Sequence, residues 1–434
     1  MNAEDQIYQN YVNILKEELV PATGCTEPIS VAYAAAKARE VLGVEPESCV
    51  IAASGNIIKN VKSVVVPNTN GLKGIEAAAA AGIVAGDASK KLEVLSGIEE
   101  QAKASIQGYI DGHPITVVPV ENEIVFYIAV TVQKGNDEAT VVIEHYHTNI
   151  VRVARNENVL YESVSDSDQG SELTDRGCLN VRDILDFANS VRLDDISEMI
   201  ERQVACNTAV SEEGLTHDWG ANIGKVLLRA YGNDVRTRAR AVAAAGSDAR
   251  MGGCEKPVVI VSGSGNQGMT ASLPVIEYAK ELRVSRDKLY RALVLSNLVT
   301  IYQKTGIGRL SAYCGVVSAG CGAGAGIAYL QGGEYEDIAH TIVNALAITS
   351  GIICDGAKPS CAAKIASAVD AGILGYHMYR NDQQFFGGDG IVTKGVDNTI
   401  HNVGILAKKG MRETDREIID IMLKHTSKDA VAEK

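Results

Sequence analysis

Ile115-Thr116-Val117-Val118, Ile124-Val125-Phe126-Tyr127-Ile128-Ala129-Val130, Thr140-Val141-Val142-Ile143 and Ile150-Val151-Arg152-Val153 follow one another as short apolar, β-branched runs. Such residues fit a pleated, half-buried surface, and the polar breaks between the runs mark turns. Cys49-Val50-Ile51-Ala52 and Val61-Lys62-Ser63-Val64-Val65-Val66 have the same texture. Helical stretches at about 71–86 and 96–108 interrupt the series. Residues 46–165 are therefore predicted to form a compact α+β unit. The sequence on either side is helical. Ile7, Tyr11, Ile14, Leu15 and Leu19 recur at three-to-four spacing, and a second helix is predicted from about Pro28 to Leu42. From about Val181 the pattern is mostly helical with Gly-rich connections. The predicted fold class is α+β, a mainly helical domain interrupted by an α+β insertion. Its divisions are an N-terminal helical arm (1–45), the inserted domain (46–165) and the main helical domain (166–434). The acidic segment Ser163–Ser171 is expected to be an exposed linker, and Asp429–Lys434 is expected to fray.

The chain has 434 residues and is 46% hydrophobic, enough to bury a sizeable core. Abundant Gly and Ala predict closely packed helices. The formal charge of −13 disfavours nucleic acid and anionic lipid as partners. The polar start Met1-Asn2-Ala3-Glu4-Asp5-Gln6 lacks the charged and apolar regions of a signal peptide, and no apolar run is long enough for a membrane span. Nine cysteines then suggest free thiols in a reducing cytoplasm, available for metal binding or catalysis. Assembly of identical chains is compatible with all of this.

Four cysteines stand where the backbone turns rather than in apolar stripes. Cys25 lies in Pro21-Ala22-Thr23-Gly24-Cys25-Thr26-Glu27-Pro28, at the start of a helix, where the dipole favours thiolate. Cys361 stands in a similar setting after Lys358-Pro359-Ser360. The turn Asp355-Gly356-Ala357-Lys358-Pro359 can bring Cys354 and Cys361 to one site. Cys314 ends Arg309-Leu310-Ser311-Ala312-Tyr313. Cys321, amid small helical residues, reads as packing; Cys49, Cys178, Cys206 and Cys254 have no partner at ligand spacing and read as small core or surface residues. Paired zinc spacing and ferredoxin spacing are absent. Three cysteines from separate segments could hold a [4Fe–4S] cluster with one iron open; unmetallated thiols are the alternative.

Pro257-Val258-Val259-Ile260-Val261-Ser262-Gly263-Ser264-Gly265-Asn266-Gln267-Gly268 contains G-x-G-x-x-G after an apolar run. A dinucleotide site would need a second strand and a ribose-binding acid, and neither follows. A turn of N–H groups at a helix start can instead hold a carboxylate. Gly263, Ser264, Asn266, Gln267, Gly268 and Thr270 are the candidate substrate-binding residues; close helix packing is the alternative role. His145 and His147, alternating with Tyr146 on an expected strand, read as a solvent-facing polar stripe, with a ligand or metal pair as the rarer option. Lys59 and Lys62 read as surface charges, Asp389 as a turn residue and Trp219 as packing.

The segment around Cys25, the separations of Cys314, Cys354 and Cys361, and Cys354-Asp355-Gly356-Ala357-Lys358-Pro359-Ser360-Cys361 together resemble the L-cysteine desulfidase family over essentially the whole chain. That family is related to the α-chain catalytic domain of the iron–sulfur L-serine dehydratases. The resemblance implies a lyase independent of pyridoxal phosphate, with a [4Fe–4S] cluster on Cys314, Cys354 and Cys361 and Cys25 as the base. It also implies that the Gly263–Gly268 segment contributes to the substrate site. A C-terminal cysteine found in serine dehydratases is missing here, which fits the desulfidase branch. The expected reaction converts a small amino acid, first L-cysteine, to pyruvate, ammonia and sulfide. L-Serine dehydration and a non-catalytic amino-acid-binding or regulatory protein are the alternatives.

Overall fold

A computed structural model describes all residues except 122–123, 164–172 and 433–434, and the side chains of 424–432. The chain opens with helix α1 (Gln6–Glu18), the short strand β1 (Pro21–Thr23) and helix α2 (Thr26–Leu42). Cys25 is the extended residue that starts α2, with Glu27 in the first turn, where the helix dipole favours a carboxylate. Gly43, at φ +83°, ends α2 in the left-handed conformation that glycine adopts without strain.

Strand β2 (Ser48–Ser54) and helices α3 (Gly55–Val61), α4 (Gly74–Ala85) and α5 (Glu100–Gly112) come next. Strands β3 (Ile115–Val120), β4 (Tyr127–Lys134), β5 (Asp137–Glu144), β6 (Ile150–Arg155) and β7 (Asn158–Glu162) then complete a six-stranded sheet in the order β3-β2-β4-β5-β6-β7. Only the β2–β3 pairing is parallel. Helix α2 packs along this sheet and along α4. At Gly82 of α4 an added Cβ would stand 2.2 Å from the Ala32 carbonyl oxygen of α2, so the two backbones meet through the missing side chain.

The remainder is helical: α6 (Val181–Ser190), α7 (Ser197–Thr216), α8 (Ile223–Tyr231) and α9 (Val235–Met251), then the strand β8 (Pro257–Val259). Helices α10 (Gly265–Leu282), α11 (Arg286–Ile307), α12 (Gly315–Leu330), α13 (Tyr335–Thr349) and α14 (Cys361–Arg380) follow. Helices α15 (Val396–Ile405) and α16 (Arg412–Ala432) are joined by a π-helical turn over Leu406–Gly410. No helix among the described residues is long and apolar enough to cross a membrane. The architecture is α+β and mostly helical, as the sequence predicts.

Four local expectations differ. The apolar run at 61–66 is not a strand: α3 ends at Val61, and only Val65 bridges to Lys73. Its valines are held instead by helix and turn packing, with Val61, Val64 and Val66 fully buried. Strand β7, not expected from the sequence, is a short edge strand whose Val159, Leu160 and Tyr161 are all exposed. The backbone of α16 continues to Ala432, into the segment expected to fray, and 433–434 lie outside the described residues. Lys59 is not a surface charge: it is 1% exposed and its Nζ lies 2.5 Å from Asp415 Oδ1. The expected linker at Ser163–Ser171 lies almost wholly outside the described residues.

Through Lys59–Asp415, α16 is fastened to α3. Removing one partner of a buried pair leaves an uncompensated charge, costing about 3–5 kcal/mol, whereas replacing both by apolar groups costs far less. Asp415→Ala is therefore predicted to destabilise the fold by about 3 kcal/mol in chemical denaturation. Adding Lys59→Met to that variant should recover most of the loss; equal stability of the single and double variants would contradict this account.

Candidate active site

Two backbone pairings assemble the site. Strand β1 runs antiparallel to β8, with Pro21 opposite Val259 and Thr23 opposite Pro257. This sets the turn into α2 beside the Gly-rich turn into α10, and Thr26 Oγ1 donates to the Gly263 carbonyl at 2.8 Å. The second pairing joins Tyr313 to Ile353 in an isolated antiparallel bridge. There the Cys314 N–H reaches the Ile352 carbonyl at 3.1 Å and the Cys354 N–H reaches the Ala312 carbonyl at 2.6 Å. Cys314 immediately precedes α12, and Cys361 is the first residue of α14. Gly356, at φ +93°, turns the chain between Cys354 and Cys361; a Cβ there would come within 2.2 Å of the Lys59 carbonyl oxygen in α3.

Cys25, Cys314, Cys354 and Cys361 all line one cavity of about 90 Å³. Gly263, Ser264, Asn266 and Gln267 line it too. Gly268 and Thr270 are not on its wall. Gly268 is the contact between α10 and β8, where a Cβ would lie 2.0 Å from the Val259 carbonyl oxygen, and the buried Thr270 hydroxyl donates to the Asn266 carbonyl at 2.6 Å. Cys321 is fully buried within α12, away from the cavity wall. A larger cavity of about 310 Å³ opens among α7, α8, α9 and α10, without any of these cysteines.

Several residues that the sequence left unremarked, or misread, complete the wall. His147 is not part of a solvent-facing stripe. A register shift between Val142 and Ile143 and the left-handed backbone of His145 take the chain out of the strand, and His147 turns inward to 6% exposure. It packs edge-on against Phe126 with ring centroids 4.8 Å apart, and over Gly263, where a Cβ would meet its Cε1 at 2.7 Å. Its Nε2 lies 4.0 Å from Glu27 Oε1 and makes no hydrogen bond. The Cys25 thiol donates to Glu27 Oε2 at 3.1 Å. Arg250, Lys304 and Arg309 also border the cavity. The proximity of Glu27 to Cys25 in sequence was the one signal available; nothing local marks Arg250 or Lys304.

The electrostatics follow from this packing. Burial pushes the Cys25 thiol well up, and the Glu27 carboxylate pushes it further, with Arg250 opposing. The dipole-favoured thiolate expected from sequence therefore gives way to a protonated thiol. Burial raises Glu27, but the contacts with His147 and Cys25 outweigh it and hold the carboxyl at about 2. The Cys314 and Cys354 thiols are pushed apart: the interaction with Cys354 and burial raise Cys314, while the interaction with Cys314 lowers Cys354, with burial opposing and Lys59 assisting. Burial lowers Lys304 to about 8, against the pull of Cys354 and Cys314.

Cys314, Cys354 and Cys361 offer a soft donor set suited to iron–sulfur chemistry, with Lys59, Lys304 and Lys364 near enough to offset anionic thiolates. Among the described residues no three His, Cys, Asp or Glu side chains are arranged to hold a single metal ion. A cubane differs in that its cysteines bind separate irons, so its thiols need only face one cavity, and Cys314, Cys354 and Cys361 line the same one.

The Cys25 thiol should alkylate with a pKa above its ordinary 9.0. Glu27→Gln removes the adjacent negative charge, so the iodoacetamide rate profile of Cys25 should move to lower pH. An unmoved profile, or one moved to higher pH, would contradict the Cys25–Glu27 coupling.

A family model described as serine dehydratase alpha chain matches residues 89–420. The match includes Cys314, Cys354 and Cys361 and begins after Cys25. A UPF0597 protein of Desulfitobacterium hafniense (strain Y51) is 60% identical over 428 residues, covering 98% of this chain and 99% of the relative. A UPF0597 protein of Lachnoclostridium phytofermentans is 51% identical over 418 residues, covering 96% of this chain and 100% of the relative. One from Treponema denticola is 46% identical over 430 residues, covering 98% and 100%. These names specify no substrate. With three quarters of its length matched by the family model, the chain belongs to the serine dehydratase alpha chain family.

Proposed function

We propose that this protein is an iron–sulfur lyase, independent of pyridoxal phosphate, that removes the β-substituent of a small L-amino acid, with L-cysteine as substrate. The observation that carries this reading is the meeting of Cys25, Cys314, Cys354 and Cys361, drawn from separate segments, on one cavity wall. The family match supports the lyase class. A [4Fe–4S] cluster held by Cys314, Cys354 and Cys361 would supply Lewis-acid assistance to the departing group.

The chain's own residues account for the rest. Elimination needs a base for the α-proton, and Cys25 is assigned that role. The reacting form is its thiolate, whose proton passes to solvent before turnover; in the resting protein the Glu27 carboxylate, 3.1 Å away, accepts the thiol's hydrogen bond. His147 packs on the other side of Glu27, its Nε2 4.0 Å from Oε1. The freed thiolate then takes the α-proton, and the C–H electron pair becomes the Cα–Cβ double bond as the β-thiol leaves as hydrosulfide. The 2-aminoacrylate formed tautomerises and hydrolyses to pyruvate and ammonia. No net oxidation or reduction occurs. Asn266, Gln267 and the turn at Gly263–Ser264 hold the substrate; Gln267 Oε1 is buried without a hydrogen-bond partner, so a ligand donor can satisfy it. The sheet unit, residues 46–165, is on this reading part of the active site, because it delivers His147.

The family description favours L-serine as a second substrate, since loss of a β-hydroxyl makes the same demands on these residues. Protein reconstituted anaerobically with iron and sulfide and assayed with L-cysteine and L-serine separates the two. Faster pyruvate formation from L-cysteine, with equimolar sulfide, is the expected result; pyruvate from L-serine alone would reassign the substrate. No pyruvate from either would favour a binding protein. Cys25→Ser should retain the brown chromophore and lose at least about 100-fold in kcat. Asn266→Ala should raise KM about 10-fold, and unchanged kinetics would leave the turn a packing element.

A further inference from the structure

We infer that Arg250 is the anchor for the substrate's α-carboxylate and so restricts the site to free α-amino acids. The inference rests on reading the cavity as an amino-acid site, and it adds a residue that neither the motif nor the family match singles out.

Arg250 is in the last turn of α9 and is 3% exposed. Its Nε donates to the Gly24 carbonyl at 2.9 Å, next to Cys25 in the chain, and its Nη1 donates to Asn266 Oδ1 at 3.2 Å. Both acceptors are neutral. Among the described residues no carboxylate pairs with this guanidinium, and its Nη2 has no protein partner. The other cations on the wall are differently placed. Arg309 spends both Nη groups on Glu18, at 3.1 and 3.2 Å, and Lys304 stands beside the Cys314 and Cys354 thiols. Glu27 is committed to Cys25 and His147.

A buried cation without a counter-ion carries a desolvation cost that an incoming anion relieves. Space for the guanidinium is built into the fold. At Gly265, the first residue of α10, a Cβ would stand 2.4 Å from Arg250 Nε and 2.8 Å from its Cζ, so the glycine admits the arginine against the helix start. Guanidinium and the N-terminus of α10 thus meet at the cavity, and both attract a carboxylate; Asn266 braces the guanidinium through Oδ1 and directs its Nδ2 at Met251 Sδ, 3.8 Å away. Cys25 borders that junction, where an α-carbon bonded to the carboxylate would come within its reach.

The test uses L-alanine, which carries the amino and carboxylate groups but no leaving group, so binding is read without turnover. Calorimetry on the reconstituted protein should detect L-alanine and find L-alaninamide at least about 10-fold weaker. Arg250→Gln should weaken L-alanine by about 10-fold to 100-fold while leaving L-alaninamide nearly unchanged, and Arg250→Lys should fall between. Melting temperatures identify folded variants. The wild-type comparison needs no variant, so it stands even if Arg250→Gln does not fold. Equal wild-type affinity for L-alanine and L-alaninamide, absence of L-alanine binding, or a folded Arg250→Gln with wild-type selectivity would overturn the anchor. Intact L-alanine selectivity without pyruvate from cysteine or serine would instead overturn the lyase and leave the anchor standing.

Discussion

The short antiparallel pairing of Pro21–Thr23 with Pro257–Val259 is the constraint on which the site depends. Three residues on each side, more than 230 positions apart in the chain, set two helix starts side by side. One start carries Cys25 and Glu27; the other carries Ser264, Asn266 and Gln267. The hydrogen bonds from Thr26 to Gly263 and from Arg250 to Gly24 tie the same junction from either side. Helix starts present unpaired N–H groups and a positive potential, so their convergence makes an anion-seeking pocket before any ligand arrives.

The opposite wall is made by other means. Cys314 and Cys354 meet through the Tyr313–Ile353 bridge, and the Gly356 turn returns the chain to Cys361 at the head of α14. That turn lies against the Lys59 carbonyl, and Lys59 is held by Asp415 of α16. The thiol wall is therefore backed by the C-terminal helix. Behind both walls, helices α12 and α14 approach closely through glycine: at Gly324 a Cβ would lie 2.8 Å from the Cα of Gly372. Rigid small-residue packing of this kind keeps converging side chains in register.

Much of this was legible in the sequence where it is local. Alternation and β-branching marked β2 to β6, and Thr26-Glu27-Pro28 and Pro359-Ser360-Cys361 marked helix starts. Cysteine placement drew attention to all four thiols on the cavity wall. What was missed depends on distant partners. His147 faces inward because of a register shift and a left-handed residue, neither of which period-two reasoning can foresee. Lys59 is buried because Asp415, 356 residues later, reaches it. Arg250 ends an Ala-rich helix whose pattern marks no site, and only the β1–β8 pairing brings it to Cys25. The helix-start argument drew attention to Cys25, which lines the cavity, but misjudged its charge, because burial and Glu27 outweigh the dipole.

The central claim is that Cys314, Cys354 and Cys361 bind iron and sulfide while Cys25 stays free for chemistry. Thiol footprinting tests it most directly: the protein is alkylated with and without anaerobic reconstitution, and each cysteine is quantified by mass spectrometry. The account predicts that reconstitution protects Cys314, Cys354 and Cys361, that a chelator reverses the protection, and that Cys25 is not protected in the same proportion. Iron-dependent protection that falls on Cys25 and spares Cys361, or none at the three, would contradict it.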